Sequence, residues 1–352
     1  MNGISEVEKQ QKLGTKRKNS NCKKKMSKYG IITWVMFMKQ NYRDSKLWST
    51  ILVMVIYAIA GAGAGLTYLV LPIEHLLFKF LLCDIVATLI VYLGSCLFRN
   101  ASVYDPYWSV APMVMTPLFI YFTVGFHLYT IIILILIELW GARLTLNWFH
   151  RFQGLSHQDW RYTHFQTKHP KLWWLISLGG IHLLPTLVVF MAMLPVFSYV
   201  NAFYKPVEIN GTIIICICVS LLGIVLETLA DIQMDQFKKH ASAKEINRTG
   251  LWKKSRHPNY FGEIVFWISM FLFCISVASN MWVMVFSPLV VFLLFGVVSI
   301  PMMEKRQLQT KPEYETYKKE TNLFFIFSLL LMFFFRFDEF LIVFMHILFK
   351  FV

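Results

Sequence analysis

Apolar residues run in long blocks along most of this chain, and polar residues collect in the short gaps between the blocks. Blocks at 47–73, 76–97, 108–124, 126–148, 172–200, 210–234, 259–279 and 282–300 are each long enough to be read as a membrane-spanning helix. Two shorter apolar pieces follow at 323–335 and 339–351, and could form one kinked hairpin or lie partly in the interface. The pattern predicts an all-α polytopic bundle of about 8–10 transmembrane helices. No stretch between the blocks is long enough for a soluble domain, so any chemistry must sit in the bundle or at its rim.

Composition supports the same class. Hydrophobic residues make up 57% and charged residues 15%, where soluble domains carry about a quarter. The 32 Phe suit lipid-facing helices better than barrel strands. Net charge is +14, which taken alone would suggest nucleic acid. Its distribution argues for a membrane instead, because basic residues gather in an N-terminal arm from Lys9 to Lys28 and in the loops between blocks.

Placing the arm in the cytosol brings loops 98–107, 149–171, 235–258 and 301–322 to that side, and the last three hold clusters of Lys and Arg. The opposite loops, 74–75, 125, 201–209 and 280–281, are short and nearly uncharged. The expected division is a basic, disordered cytosolic arm at 1–46 and a membrane domain at 47–352. The long polar start predicts no cleavable signal peptide. The six cysteines are scattered without a C-x-x-C and read as small hydrophobes. No Walker loop, dinucleotide glycine fingerprint, zinc spacing or di-iron histidine box occurs.

Ionisable groups inside apolar blocks are costly and therefore mark candidate sites. Glu227, Asp231 and Asp235 recur every fourth residue, which lines three carboxylates along one helix stripe. The stripe is either functional or a pairing face for basic residues such as Lys238 or Arg256. The stretch SRHPNYFGE, Ser255 to Glu263, places Arg256, His257, Asn259, Tyr260 and Glu263 around a helix start at Pro258, with Trp267 below. A helix N-terminus attracts phosphate, so this rim suits a ligand with phosphates and a sugar. Glu304, Arg306, Tyr314 and Tyr317 in Pro301–Thr321 fall on the same side of the membrane, in a segment that could otherwise be a basic connector lying on lipid. Further polar motifs are DPYWS at Asp105–Ser109, Arg143 near the end of the fourth block, and DWRY at Asp159–Tyr162.

These motifs, in this order over roughly 76–322, resemble the steroid 5-alpha-reductase C-terminal-domain superfamily. The likeness is strongest to a branch of membrane proteins that share D-x-x-W-S, A-R-L, D-W-R-Y, A-D-x-Q and S-R-H-P-N-Y-F-G-E. The resemblance implies an NADPH-dependent reductase of a carbon–carbon double bond in a lipophilic sterol-like, enone or enoyl lipid substrate. It would sit in the endoplasmic reticulum membrane with its cofactor site facing the cytosol.

By that likeness Asp231 and Asp235 would hydrogen-bond the adenosine or nicotinamide part. Arg143, Lys239 and Arg256 would pair with phosphates, and His257, Asn259, Tyr260, Glu263, Glu304, Tyr314 and Tyr317 would complete the cage. Asp105 is the candidate catalytic carboxylate. The expected catalytic tyrosine falls at Trp140, which cannot supply a proton, so Tyr107 or Tyr162 would substitute. Part of the signature also resembles isoprenylcysteine-type and other lipid methyltransferases, in which Arg256, His257, Tyr260, Glu304, Tyr314 and Tyr317 would hold S-adenosylmethionine. A non-catalytic membrane scaffold is the third possibility. Neither a metal nor nucleic acid is expected as a partner.

Overall fold

A computed structural model of the chain describes residues 43–204, 211–278 and 280–325. The described residues are mostly helical and include no strand. The helices are α1 Lys46–Val70, α2 Leu76–Phe98, α3 Tyr107–Phe122, α4 Leu128–Arg151, α5 Trp160–Lys168, α6 Trp173–Ala202, α7 Thr212–His240, α8 Pro258–Val277, α9 Trp282–Thr310 and α10 Tyr314–Glu320. All eight predicted blocks are helices. Seven of them (α1, α2, α4 and α6 to α9) are long and apolar enough to cross a membrane.

The exception corrects the predicted span at 108–124. Helix α3 has 16 residues, which at about 1.5 Å each reach roughly 24 Å, short of a typical bilayer core. Pro112 and Pro117 lie inside it and remove two backbone donors. The predicted apolar piece at 339–351, most of the piece at 323–335, and most of the 1–46 arm lie outside the described residues.

Helices α6 and α9 each contain a widened π segment, at Ser177–Leu183 and Leu294–Ser299. Each is followed two residues later by a proline, Pro185 and Pro301. A proline cannot donate to the carbonyl four residues back and its ring crowds that carbonyl, so a widened turn just before it relieves the conflict.

The chain folds as two compact units. The first holds the described residues through Glu74 together with Leu82–Tyr107 and Asn147–Leu183. In it α1 packs against α2 through small residues. A Cβ on Gly63 would meet the Ile90 side chain, and one on Gly94 would meet Ile56. The Asn100 side chain donates to the carbonyls of Leu155 and His157 at 2.8 and 2.9 Å, tying the start of the Ala101–Val103 turn to the 150s loop.

The second unit holds His75–Leu81, Trp108–Leu146 and the described residues from Leu184 onward. Its most extensive pairing is α7 with α8. The loop after α7 folds back onto it. Gly250 takes φ +55, where a Cβ would run into Gln233. The Gln233 side-chain oxygen accepts from the Leu251 amide at 2.8 Å, and Trp252 Nε1 donates to the Ala230 carbonyl at 3.0 Å. The Gln of the A-D-x-Q motif therefore seats the loop that leads into SRHPNYFGE.

Candidate functional site

The second unit gathers a charged cluster between α4, α7 and α8. Arg143 leaves α4 and meets the acidic stripe of α7. Its Nη1 donates to Asp231 Oδ2 at 3.0 Å, and its Nη2 stands 2.5 Å from Glu227 Oε1. All three side chains are about nine-tenths buried. The sequence reading offered Lys238 or Arg256 as partners of this stripe. The structure supplies Arg143 to Glu227 and Asp231, and turns Arg256 elsewhere. Asp235 is half-buried and Lys239 is exposed.

Glu263 on α8 borders the same cluster and acts on Glu227 electrostatically, as Asp231 does. Its carboxylate, 1% exposed, is held by two indoles. Trp140 Nε1 donates to Oε2 and Trp267 Nε1 to Oε1, each at 2.8 Å. The Trp140 ring stacks on Phe266 with centroids 5.3 Å apart and lies edge-on to Trp108 and Trp267. The residue standing where a catalytic tyrosine would fall thus fixes a carboxylate.

Some polar atoms here are buried with no hydrogen-bond partner: Arg143 Nε, Glu227 Oε2 and, at the first turn of α8, Asn259 Oδ1. Such atoms are costly in a protein interior and point to a polar group that completes them.

What lets these groups meet is the close crossing of α7 and α8. A Cβ on Gly223 would lie 2.8 Å from the Gly262 carbonyl oxygen and the Phe266 nitrogen. One on Gly262 would lie 2.7 Å from the Glu227 nitrogen. The glycine of the NYFGE motif thus brings the backbones into contact and sets Glu227 beside Glu263.

Arg256 belongs to a second network. Its Nε donates to Glu304 Oε1 at 2.7 Å, and its Nη1 donates to the carbonyls of Lys318 and Thr321 at 3.1 and 2.6 Å. Lys318 Nζ reaches the other Glu304 oxygen at 2.9 Å. The His257 ring stacks on Tyr260, which stacks on Phe295. Burial holds the His257 ring below the usual imidazole pKa despite Glu304 nearby. Tyr314 and Tyr317 are buried, and Tyr317 Oη donates to the Trp252 carbonyl. Burial pushes the phenol of Tyr317 up to about 12. These residues clasp α10 and the stretch 321–323 to the SRHP loop, whose Arg256 and His257 amides donate to the Asn322 and Leu323 carbonyls.

The first unit brings together the other candidates. Tyr162 Oη donates to Asp105 Oδ1 at 2.7 Å. Asp159 caps α5 by accepting from the Arg161 amide and is gripped by the Arg161 guanidinium at 2.9 and 3.1 Å. Tyr162 and Phe165 pack on Ala101, Trp173 and Ile181, which anchors α5. Burial and then the Asp159 charge push the Asp105 carboxyl up to about 7. Tyr107 faces a different carboxylate, donating to Asp84 Oδ1 at 2.7 Å. Asp84, an ionisable group inside the apolar block 76–97, is thereby partnered.

Glu227 lay on the predicted stripe but outside the predicted cofactor set, and Trp267 was placed only as the residue below Glu263. The four-residue spacing to Asp231 was the available signal for Glu227. For Trp140 as a carboxylate donor the sequence held none.

Fold and site together define an all-helical, polytopic membrane protein with a buried ionic cluster. The chain belongs to the DUF1295 family, described as a protein of unknown function, which matches residues 91–321. That span contains every group described above as a candidate site. The chain is also similar to an uncharacterized protein of Schizosaccharomyces pombe, 24% identical over 261 residues that cover 64% of this chain and 73% of the relative. No solved structure matches it significantly.

Proposed function

We propose that the chain is a membrane-embedded, NADPH-dependent oxidoreductase that reduces a carbon–carbon double bond of a lipophilic substrate. One observation carries the reading: a buried arginine, carboxylates and an amide in a membrane bundle keep unpartnered polar atoms. A structural ion-pair cluster gains nothing by leaving them so, whereas a polar ligand would complete them. The order of D-x-x-W-S, A-R-L, D-W-R-Y, A-D-x-Q and S-R-H-P-N-Y-F-G-E adds the likeness to the steroid 5-alpha-reductase superfamily.

On this reading Arg143, Glu227, Asp231, Asn259 and Glu263 hold the cofactor, and a cavity lined by Phe and Met would accept a sterol, acyl or prenyl chain as substrate. The cofactor would supply a hydride to the beta carbon of an enone or enoyl group. The alpha carbon must then take a proton. The family resemblance assigns that proton to Asp105, with Tyr107 or Tyr162 in place of the usual tyrosine. Residence in the endoplasmic reticulum membrane with the cofactor on the cytosolic side is part of this reading.

A second reading, an S-adenosylmethionine-dependent lipid methyltransferase, is favoured by a separate observation. Two carboxylates, Glu227 and Asp231, already occupy the Arg143 guanidinium, and Glu263 borders Glu227, which suits a sulfonium better than a phosphate. The test is thermal stability of the detergent-purified protein with excess NADPH, NADH or S-adenosylmethionine, since a ligand of the folded state raises the melting point. A rise with NADPH supports the reductase. A rise with S-adenosylmethionine alone replaces it with the methyltransferase, and no rise with any of the three counts against both.

A further inference from the structure

We infer that the outward face of α4 around Glu138 is a contact between two copies of this chain, with their Glu138 carboxyl groups meeting across a two-fold axis inside the membrane. The contact does not rest on the reductase reading. Helix α4 is long and apolar enough to cross a membrane. Glu138 lies roughly 15 Å from its first residue and roughly 20 Å from its last, at 1.5 Å per residue. A bilayer core is about 30 Å thick, so this carboxyl group sits near its middle. Ionisable groups at that depth are costly and need a partner. Other carboxyl groups of the helices have theirs: Asp84 meets Tyr107, Asp231 meets Arg143, and Glu263 meets two indoles. Glu138 has neither a hydrogen bond nor an ion pair among the described residues.

The surroundings of Glu138 say where a partner must come from. Ile131, Ile135, Glu138 and Ala142 follow one another at spacings of 4, 3 and 4 residues, which puts them on one stripe of α4. Ile131 is 39% and Ile135 51% exposed, Ala142 is exposed and Glu138 is half-buried. The opposite stripe, with Ile133, Ile137 and Trp140, is buried. Lipid chains offer no hydrogen-bonding group, and no water is present in the bilayer core. The group that completes Glu138 must therefore be carried by another membrane-embedded molecule.

A second copy fits for a chemical reason. A carboxylic acid carries one O–H donor together with acceptor oxygen, so two such groups facing each other satisfy both in a pair of hydrogen bonds. Polar side chains hold helices together in lipid, and small residues beside them let the backbones approach. Ala142, one turn from Glu138, is such a residue. A two-fold contact presents the same face on both partners and closes at a dimer. The remaining members of the stripe are aliphatic and select no charged foreign helix.

The experiment reads self-association of the full-length protein in phosphatidylcholine liposomes, by energy transfer between donor- and acceptor-labelled copies as lipid is added. Wild type is expected to associate beyond random mixing. Glu138→Leu is expected to need about tenfold more protein per lipid to reach half-association. Glu138→Gln is expected to keep the association, because an amide is also donor and acceptor at once. Leucine continues the apolar stripe and so spares the fold, and Ala142→Phe, which adds bulk at the crossing, is a second variant expected to weaken association. Transfer no higher than random mixing in the wild type overturns the inference. An unmoved midpoint in both Glu138→Leu and Ala142→Phe also overturns it, since the contact then lies elsewhere. A loss in Glu138→Gln as large as in Glu138→Leu gives Glu138 a cationic partner and overturns the self-pairing.

Discussion

Tyr162 and Asp105, 57 residues apart, meet through a 2.7 Å hydrogen bond in which the phenol donates to the carboxyl. The bond favours the charged carboxylate, but burial and Asp159 outweigh it and hold the carboxyl at about 7 against an ordinary 3.8. The sign of the stability effect follows. Between about pH 4 and 7 the folded chain keeps a proton that the unfolded chain has released. Stability conferred by that proton falls as pH rises through this window and levels off above it. Asp105→Asn should flatten the fall, and Tyr162→Phe should extend it upward by removing a bond to the charged form. Melting temperatures from pH 4.5 to 8 check this, and parallel profiles for wild type and Asp105→Asn would refute it.

The α7–α8 crossing is the most sensitive point in the second unit. Alanine at Gly262 would put a methyl 2.7 Å from the Glu227 amide nitrogen and the Gly223 carbonyl. Both are backbone atoms and cannot swing aside. Gly262→Ala should cost about 1–3 kcal/mol or more and should pull Glu227 away from Glu263. Gly61→Ala, where a Cβ meets nothing within 4 Å, is the control and should leave the melting temperature near wild type. Equal stability for the two variants would mean that the helices can separate without loss.

The helices were legible because apolar blocks of membrane length report directly on burial in lipid. Only α3 departed: it stops at Phe122, just before Gly125, which takes φ +75 and whose amide donates back to the Ile120 carbonyl. The acidic stripe of α7 was also legible, because helical spacing puts Glu227 and Asp231 on one face. Their partner was not. Arg143 lies 88 residues before Asp231, and no local rule pairs them. The stretch SRHPNYFGE was read as a single ligand-holding rim, yet the structure divides its charges. Pro258 starts a helix, so Glu263 lies roughly 7 Å further along the axis, deep enough to meet the indoles. Arg256 and His257 stay at the loop and meet Glu304. Sequence proximity suggested one cluster, and the helix axis separated it into two.

Trp140 and Trp267 each supply one donor to Glu263, both at 2.8 Å. Trp140→Phe keeps a ring to stack on Phe266 but leaves one buried carboxylate oxygen without its donor. The loss should be about 1–3 kcal/mol, seen as a lower melting temperature. Adding Glu263→Gln should remove part of that penalty, because the charge to be satisfied has gone. A double-mutant cycle measures the coupling, and purely additive effects would show that the indoles act by packing alone.

Arg256 separates a structural role from a ligand-binding one. Its fork spans Glu304 and the Lys318 and Thr321 carbonyls, with side-chain exposures of 11% for Arg256 and 7% for Glu304. A lysine carries the charge but cannot span three acceptors in fixed directions. Arg256→Lys should therefore loosen α10, and Arg256→Ala should cost roughly 3 kcal/mol by stranding Glu304. Limited trypsin cleavage at Lys311, Lys318 and Lys319 reads the loosening directly. Faster cleavage in both variants, with Glu304→Gln behaving alike, assigns Arg256 to the clasp. Unchanged cleavage and melting temperature together with lost nucleotide binding would instead return Arg256 to the phosphate role that its motif first suggested.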